Sequence, residues 1–348
     1  MELADKLKKL VETDGVSGFE ENIFAQAKDL FFDLCDDIQS DPLGNMIAHI
    51  SRGGHKKVML AAHMDEIGLM VKDIDDAGFV QFTNIGGYDY RTLPAQEVIV
   101  HGREKVFGIV ATKPPHIQNE EDKKKAPKME DMRIDIGLSK EEAKKVVSIG
   151  DPITVKRHML KLQNDFYSSK AMDDRAGVLA MLHCFEILKK MNHSIDVYGV
   201  CTVQEEVGTR GAIVSAFNIN PDIGIAVDVG FGSTPELPKD ETLDLSKGVG
   251  IAFGANIHPK LHKKLIELAK EHNIPYQVDL VPGNSGTDTR SIQISRCGIA
   301  TALLSIPLRY MHTSVETLSM EDIKNVGKLL AYFILSLDNI DLEELLCF

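Results

Sequence analysis

The sequence has 348 residues, 43% of them apolar, and a formal net charge of −13, which suits two domains and disfavours nucleic acid as a partner because phosphates are also negative. No apolar run approaches the ~18 residues of a membrane span, and the start MELADKLKKLVE lacks a signal core, so we expect no membrane association. The five cysteines are scattered without a Cys-x-x-Cys pair, which fits reduced thiols in a cytoplasmic protein.

The first part of the chain predicts two helices followed by two strands. Residues 2–13 carry apolar residues at helical spacing, and Ser17 with Glu20 three residues later predicts the N-cap of a second helix that extends to about Leu34. GNMIAHIS (44–51) and KVMLAAHMD (57–65) predict strands. The second is apolar on both faces, as in a sheet that is covered on both sides.

The middle of the chain, residues 67–162, changes in character. Short segments of alternating polarity, such as FVQFTNI and VFGIVAT, are separated by turn residues, and one short helix is predicted at SKEEAKKVV. This pattern indicates a β-rich module.

From residue 163 onward, strands and helices alternate. Strands at SIDVYGVCTVQ, IGIAVDVG, GVGIAFG and IATALLSIPL are separated by helical segments, and this rhythm predicts a mostly parallel sheet covered on both faces. We therefore predict an α/β domain built from residues 1–66 and 163–348, with 67–162 inserted as the β-rich domain.

Polar side chains follow these strands at their carboxyl ends, where ligands bind in open α/β sheets. His63 and Asp65 are two residues apart and point to the same side. They form either a metal ligand with its orienting carboxylate or a plain His–Asp hydrogen bond. Asp173 and Asp174 precede a long apolar helix, where acids cap the helix, and Asp173 is also a candidate metal ligand.

Three more stretches add to this edge. Glu205 and Glu206, in TVQEEVGTR, directly follow an apolar strand. Adjacent residues on an extended chain point to opposite sides, so both can serve one site only if the strand ends and turns there, which Gly208 permits. Asp228 closes the strand IAVDVG and His312 follows TALLSIPL. A buried carboxylate such as Asp228 needs a partner, which could be a metal, an arginine or a helix cap.

Apart from Asp65 and Asp174, which have supporting and capping interpretations, these positions give two imidazoles and four carboxylates. Two divalent ions balance three ligating carboxylates and one hydroxide, which leaves the fourth carboxylate as a general base. The sequence therefore predicts a dinuclear metal site.

The order of the motifs extends this interpretation to nearly the whole chain. The motifs are GVSGFEE, SDPLGN, AAHMDEIGLMV, NIGGYDYRTLPAQ, SSKAMDDRAGV, VQEEVGTRGA, VDVG, SGTDTRSIQ and IPLRYMHTSVE. In this order they resemble the tetrahedral (TET-type) dinuclear metallo-aminopeptidases, a cytosolic family that includes deblocking, glutamyl and leucyl members. Small departures are Ala95, where Gly is frequent, and Ser314, where Pro is common.

The resemblance implies a role for each candidate residue. One metal would be held by His63, Asp173 and Asp228, and the other by Asp173, Glu206 and His312, so that Asp173 bridges. Glu205 would be the catalytic base, and Asp65 would support His63. Zinc or cobalt is usual in the family, and manganese also suits such donors.

The resemblance also implies the fold, the assembly and the activity. The fold would be a zinc exopeptidase-like α/β domain with an inserted PDZ-like or barrel domain that forms dimers, which assemble into a homododecamer. The activity would be release of N-terminal residues from peptide substrates by a metal-activated water. A dinuclear carboxypeptidase or dipeptidase, and a non-catalytic homologue, are the alternatives. A sugar-cleaving enzyme with paired carboxylates would not need His63 and His312.

Overall fold

The computed structural model describes residues 1–54, 56–117 and 125–347, and it contains a central eight-stranded sheet and a closed six-stranded barrel. With strands numbered in chain order, the central sheet contains β1 Asp37–Ser40, β2 Met46–Ile50, β3 Lys57–His63, β12 Asp196–Thr202, β13 Ile223–Phe231, β14 Val249–Gly254, β15 Tyr276–Val281 and β16 Ala300–Leu308. The barrel contains β4 Gly68–Ile74, β5 Val80–Ile85, β6 Glu97–His101, β7 Lys105–Ala111, β8 Arg133–Asp135 and β9 Pro152–Val155. A small third sheet contains β10 Leu160–Lys161, β11 Phe166–Ser169 and β17 Glu316–Ser319.

Helices cover the central sheet, and the short helix α3 (Lys140–Val146) packs against the barrel. They are α1 Leu3–Glu12, α2 Glu21–Phe31, α3 Lys140–Val146, α4 Met172–Leu188, α5 Arg210–Ile219, α6 Pro259–Glu271, α7 Thr289–Gln293, α8 Met320–Ser336 and α9 Leu342–Leu346. In the part of the chain that the structure describes, none of them has the length and apolarity to cross a membrane.

The central sheet runs in the order β1-β2-β12-β3-β13-β16-β14-β15. Strands β12, β3, β13 and β16 pair in parallel, as do β14 and β15, whereas the β1–β2, β2–β12 and β16–β14 pairings are antiparallel. The predicted parallel sheet is thus confirmed at its centre, and antiparallel strands flank it. Four parallel strands consequently present their carboxyl ends at one edge.

Strand β3 shows why this sheet is buried on both faces. Its side chains alternate between two cores, with Leu60 and Ala62 facing the cluster that contains α4 and α8, and Met59 and Ala61 facing the cluster that contains α5 and α7. Each of these side chains is at most 1% exposed. A strand that is apolar throughout residues 58–62 therefore fits a sheet between two helical layers, as predicted.

The barrel closes in the order β4-β5-β8-β7-β6-β9 around an apolar core of its own that includes Leu69, Val98 and Ile134. The short helix predicted here is α3, where the Ser139 amide donates to the Glu142 carboxylate at 3.0 Å in a capping box. All six barrel strands lie within the segment predicted as an insertion, although the exact domain boundaries stay a prediction.

The predicted start of the second helix is wrong. Helix α2 begins at Glu21 with Glu20 as its N-cap and ends at Phe31, before Leu34. The Ser17 hydroxyl does not cap the helix, because it donates to the Asp65 carboxylate at 2.6 Å. A tertiary partner thus displaced the local capping pattern.

Candidate metal centre and active site

The carboxyl edge of the central sheet brings together residues from distant parts of the chain. His63, Asp173 and Glu206 each offer a ligand atom, and these atoms lie within 4.8 Å of one another. His63 ends β3, and its register partner on β12 is Thr202, three residues before the glutamate pair. Parallel pairing therefore delivers the imidazole and the glutamates to one point.

Asp173 lies between two imidazole rings. Its Oδ1 atom is 3.0 Å from His63 Nε2, and its Oδ2 atom is 3.4 Å from His312 Nε2. The His312 Nε2 atom is also 3.4 Å from Glu206 Oε2. Each oxygen of this 6%-exposed carboxylate thus faces a different histidine, which is the arrangement that a bridging ligand requires.

Backbone geometry at the start of α4 presents Asp173 to the rings. Asp173 and Asp174 have non-helical φ/ψ values within the first turn. The amides of Met172 and Asp173 donate to Glu316 Oε2 at 2.8 and 3.2 Å. The His312 amide donates to the other oxygen of Glu316 at 2.9 Å, so one buried carboxylate fixes the backbone of both residues.

The chain turns directly after β12, so the two adjacent glutamates are not on an extended strand. Strand β12 ends at Thr202, Gln204 has a φ of 55° and Gly208 has a φ of 125°. Glu206 reaches His312, whereas Glu205 Oε1 is buried without a hydrogen-bond partner among the described residues. The turn required by the sequence argument is present.

Asp65 holds this turn in place. Its Oδ1 atom accepts from the Glu205 amide at 3.0 Å, and its Oδ2 atom accepts from the Glu206 amide at 3.3 Å. His63 Nδ1 lies 3.1 Å from the Asp65 backbone oxygen and 3.6 Å from its carboxylate. The closest support for the ring is therefore the carbonyl, while the carboxylate mainly organises the glutamates.

Asp228 lies at the same edge but outside the tightest group. It is 7% exposed, its register partner on β16 is Ser305, and its Oδ1 atom accepts from the Val229 amide at 2.8 Å. Burial raises its pKa well above the ordinary value, and the negative charge of Asp173 adds to the shift. Its role as a ligand stays a prediction.

The site concentrates more negative charge than its imidazoles balance. Burial raises the pKa of Glu205 to about 10 and also raises that of Glu206. Burial alone would lower the pKa of His312, but its contacts with Asp173 and Glu206 outweigh this and raise it to about 11. Imidazole and carboxylate donors, together with the buried and unpartnered Oε1 atom of Glu205, fit divalent cations that would relieve this repulsion.

The barrel also touches the site. The loop between β5 and β6 places the Gly87 carbonyl oxygen 2.8 Å from His312 Nδ1. That contact directs the Nε2 atom of the ring toward Asp173 and Glu206. A Cβ atom on Gly87 would lie only 3.0 Å from His312 Nδ1, so glycine leaves the space that the ring occupies.

A buried ion network supports the site from behind. Lys170 Nζ lies 2.8 and 2.7 Å from the two oxygens of Glu66. Arg175 is fully buried and donates to Glu66 at 3.3 Å and to the carbonyl oxygens of Met64 at 3.1 Å and Leu10 at 2.7 Å. The network ties α1 and the end of β3 to the start of α4.

Glu316 and Asp288 are buried acids of this region that the sequence pattern does not single out. Glu316 fixes the backbone at Asp173 and His312, and Asp288 accepts from Thr202 Oγ1 at 2.6 Å while 3% exposed. Both lie in quoted motifs, IPLRYMHTSVE and SGTDTRSIQ, but neither follows an apolar strand directly. Membership of those motifs was the available signal.

Comparisons with known proteins identify the family of the chain. Residues 44–329 match the M42 glutamyl aminopeptidase family. The lysyl aminopeptidase of Pyrococcus furiosus is 39% identical over 328 residues, which cover 93% of this chain and 94% of the relative.

Solved structures extend the likeness to the whole fold. A TET aminopeptidase from a marine sediment thaumarchaeote has a TM-score of 0.94 at 32% identity, and the match covers 99% of this chain and 98% of that one. The TET1 peptidase of Pyrococcus horikoshii, described as able to assemble into a tetrahedron or a large octahedral shell, has a TM-score of 0.85 at 32% identity, covering 96% and 99%.

Proposed function

The chain belongs to the M42 glutamyl aminopeptidase family and is a hydrolase with aminopeptidase activity, and we propose that it uses two divalent ions and Glu205 as the general base. M42 peptidases are metal-dependent. The observation that carries the proposal is the position of Asp173, whose two oxygens face His63 and His312 separately.

We assign the ligands as follows. One ion would be held by His63, Asp173 and Asp228, and the other by Asp173, Glu206 and His312. Zinc and cobalt suit this mixture of imidazole and carboxylate donors, and manganese is also accepted by such sites.

Bound divalent ions would polarise the scissile carbonyl and acidify a water. Glu205 would accept a proton from the attacking water and transfer it to the leaving amine, a task for which its unpartnered Oε1 atom is available. The surrounding carboxylates would attract the protonated N-terminal amine of a peptide. This preference for a free α-amine makes the reaction an exopeptidase reaction.

The test of the base is Glu205→Gln. We expect turnover of an aminoacyl substrate to fall by about a hundredfold to ten-thousandfold, with metal content unchanged. Glu104→Gln, at an exposed turn of the barrel, is the control and should retain full activity. Wild-type turnover by the Glu205 variant would refute the assignment.

Substrate and metal panels separate this function from the alternatives. We expect chelation to abolish activity and zinc, cobalt or manganese to restore it. N-acetylated peptides should resist cleavage and C-amidated peptides should be cleaved, whereas a carboxypeptidase would show the opposite pattern. No chelator-sensitive cleavage of any peptide would favour a non-catalytic homologue.

For assembly, we propose barrel-mediated dimers that form a homododecamer. Phe107 and Ile109 on β7 are 61% and 54% exposed on the outer face of the barrel, and apolar side chains of this kind suit a protein interface. The TET1 relative can assemble into a tetrahedron or a large octahedral shell. Light scattering should give a particle of about 460 kDa, twelve times the 38.5 kDa chain, and a lower mass in Phe107→Asp.

We also propose a cytoplasmic location. Cys35, Cys184, Cys201 and Cys297 are free thiols in the structure, as a reducing compartment would keep them.

A further inference from the structure

The turn that carries the two glutamates is held by three successive backbone amides. The Gln204 amide donates to Glu20 Oε1 at 3.2 Å, and the Glu205 and Glu206 amides donate to the two oxygens of Asp65 at 3.0 and 3.3 Å. Two carboxylates from separate segments of the chain therefore accept hydrogen bonds from all three of these amides. One of them, Glu20, comes from the N-terminal motif GVSGFEE, which the proposed mechanism does not use.

The N-terminal motif is itself firmly placed. Glu20 Oε1 also accepts from the Gly18 amide at 2.8 Å, and Ser17 Oγ donates to Asp65 Oδ2 at 2.6 Å. The Ser17 amide donates to the Glu66 carbonyl oxygen at 3.2 Å. Ser17 is 5% exposed and Glu20 is 8% exposed. The two carboxylates that accept from the turn, those of Glu20 and Asp65, are thus linked, because Ser17 binds Asp65 and lies three residues before Glu20.

The turn needs such support because of its backbone conformation. Gln204 has a φ of 55°, in the left-handed region that non-glycine residues adopt only when their surroundings hold them there. If its amide lost an acceptor, the chain could relax toward an extended conformation. Adjacent side chains would then point to opposite sides, and Glu205 would leave the site.

We propose that Glu20, assisted by Ser17, is a positioning residue for Glu205. The inference rests on the proposed role of Glu205 as the base and adds an explanation of how its side chain is held in position. Glu20 acts through the acceptor oxygen that it offers to Gln204, and its negative charge is not required. Its backbone carbonyl performs the separate task of accepting the Phe24 amide at 2.8 Å in the first turn of α2.

The oxygen and the charge can be separated by substitution. Glu20→Gln keeps an acceptor oxygen and removes the charge, whereas Glu20→Ala removes both. Glu21→Ala is the matched control, because Glu21 is the exposed neighbour at the first position of α2. All three variants are to be studied as full-length, metal-loaded protein.

We expect Glu20→Ala to lower kcat by about tenfold to a hundredfold, with KM and metal content within about twofold of wild type. Glu20→Gln should recover most of kcat, and Glu21→Ala should match wild type. A purely structural role would lower the melting temperature without changing kcat per folded molecule. Unchanged kcat in Glu20→Ala, or an equal loss in Glu20→Gln, overturns the proposal.

A second measurement does not depend on turnover. In the metal-free full-length chain, hydrogen exchange of the Gln204 amide should be about tenfold faster in Glu20→Ala than in Glu21→Ala, as expected for one lost hydrogen bond. Equal exchange rates in the two variants would contradict the positioning role.

Two further variants keep the result interpretable. If Glu20→Ala does not fold, Ser17→Ala removes the donor to Asp65 and should lower kcat by several-fold with unchanged metal content; full kcat there counts against the proposal. Glu205→Gln identifies which idea fails. An inactive Glu205 variant beside a fully active Glu20→Ala would reject only the positioning role, whereas an active Glu205 variant would reject the proposed base.

Discussion

The barrel and the carboxyl edge of the central sheet bury very different side chains. Between residues 68 and 155, the described part of the barrel buries Thr154 as its polar side chain, beside an apolar core. The sheet edge buries His63, Asp65, Asp173 and Asp228 within one small region. Apolar burial is favourable by itself, whereas each buried charge at the edge needs a partner, so the edge depends on its surroundings in a way that the barrel does not.

The polar residue of the barrel faces the other domain. Thr154 Oγ1 lies 2.8 Å from His101 Nε2 and donates to Asp14 at 3.1 Å, and Lys105 Nζ donates to the same aspartate at 2.8 Å. The barrel therefore has an apolar core of its own and makes polar contacts with Asp14, which follows α1. The comparison can be tested from both sides.

The largest expected effect comes from removing the central charge of the edge. Asp173→Ala should reduce bound metal to less than one ion per chain, because both proposed ions share this carboxylate. Activity should fall by about a thousandfold or more, as expected when several kcal/mol of Lewis-acid stabilisation are lost. Metal analysis of the purified protein is the measurement.

The control for that experiment is Asp222→Ala. Asp222 lies beside the amino end of β13, where its carboxylate accepts from the Lys57 amide, at the other edge of the same sheet. It should keep its metal and its activity. Full metal occupancy in Asp173→Ala would disprove the bridging role.

A smaller effect is expected where the barrel touches the site. Gly87→Ala places a methyl group about 3.0 Å from His312 Nδ1 and should move the ring. We expect metal affinity to fall by about tenfold to a hundredfold, measured by competition with a chelator. Gly283→Ala, where a Cβ meets nothing within 4 Å, should bind metal normally. Normal metal affinity in Gly87→Ala would show that the contact between the barrel and His312 does not support metal binding.

The smallest effect concerns the barrel alone. Ala95 has a φ of 67°, which favours glycine, and it lies in an exposed position before β6. Ala95→Gly should raise the free energy of unfolding by about 0.5 kcal/mol, since relief of the left-handed strain exceeds the added entropy of the unfolded chain. Ala77→Gly, at an exposed position without a positive φ, should lower it. Thermal unfolding of both variants decides the sign.

The sequence predicts that the site residues lie close together, because the ends of buried apolar strands can be recognised in it. His63 and Asp228 terminate or follow buried apolar runs, and parallel strands bring such ends to one edge. The turn at Glu205 and Glu206 was also predicted, because side-chain alternation on an extended strand would send the two glutamates to opposite sides. Which ligand binds which ion depended on the family resemblance and stays a prediction.

The contacts that fix the site could not be derived in this way. The local pattern predicts that Ser17 caps a helix, but its hydroxyl donates to Asp65, 48 residues away in sequence. Glu316 binds three amides through a geometry that no spacing rule encodes. The antiparallel strands at the flanks of the sheet likewise depend on crossovers between distant segments.

The burial of Arg175 has a practical consequence for handling the protein. Its guanidinium group donates hydrogen bonds to the carbonyl oxygens of Leu10 and Thr13. The first fourteen residues therefore supply acceptors to a positive charge that is buried inside the fold. A chain shortened to begin after Asp14 would lack both of these acceptors. The buried guanidinium group, two residues from Asp173 in sequence, would then lose these hydrogen bonds. Helix α1 and the residues up to Asp14 should therefore be kept in any shortened or immobilised form of the enzyme.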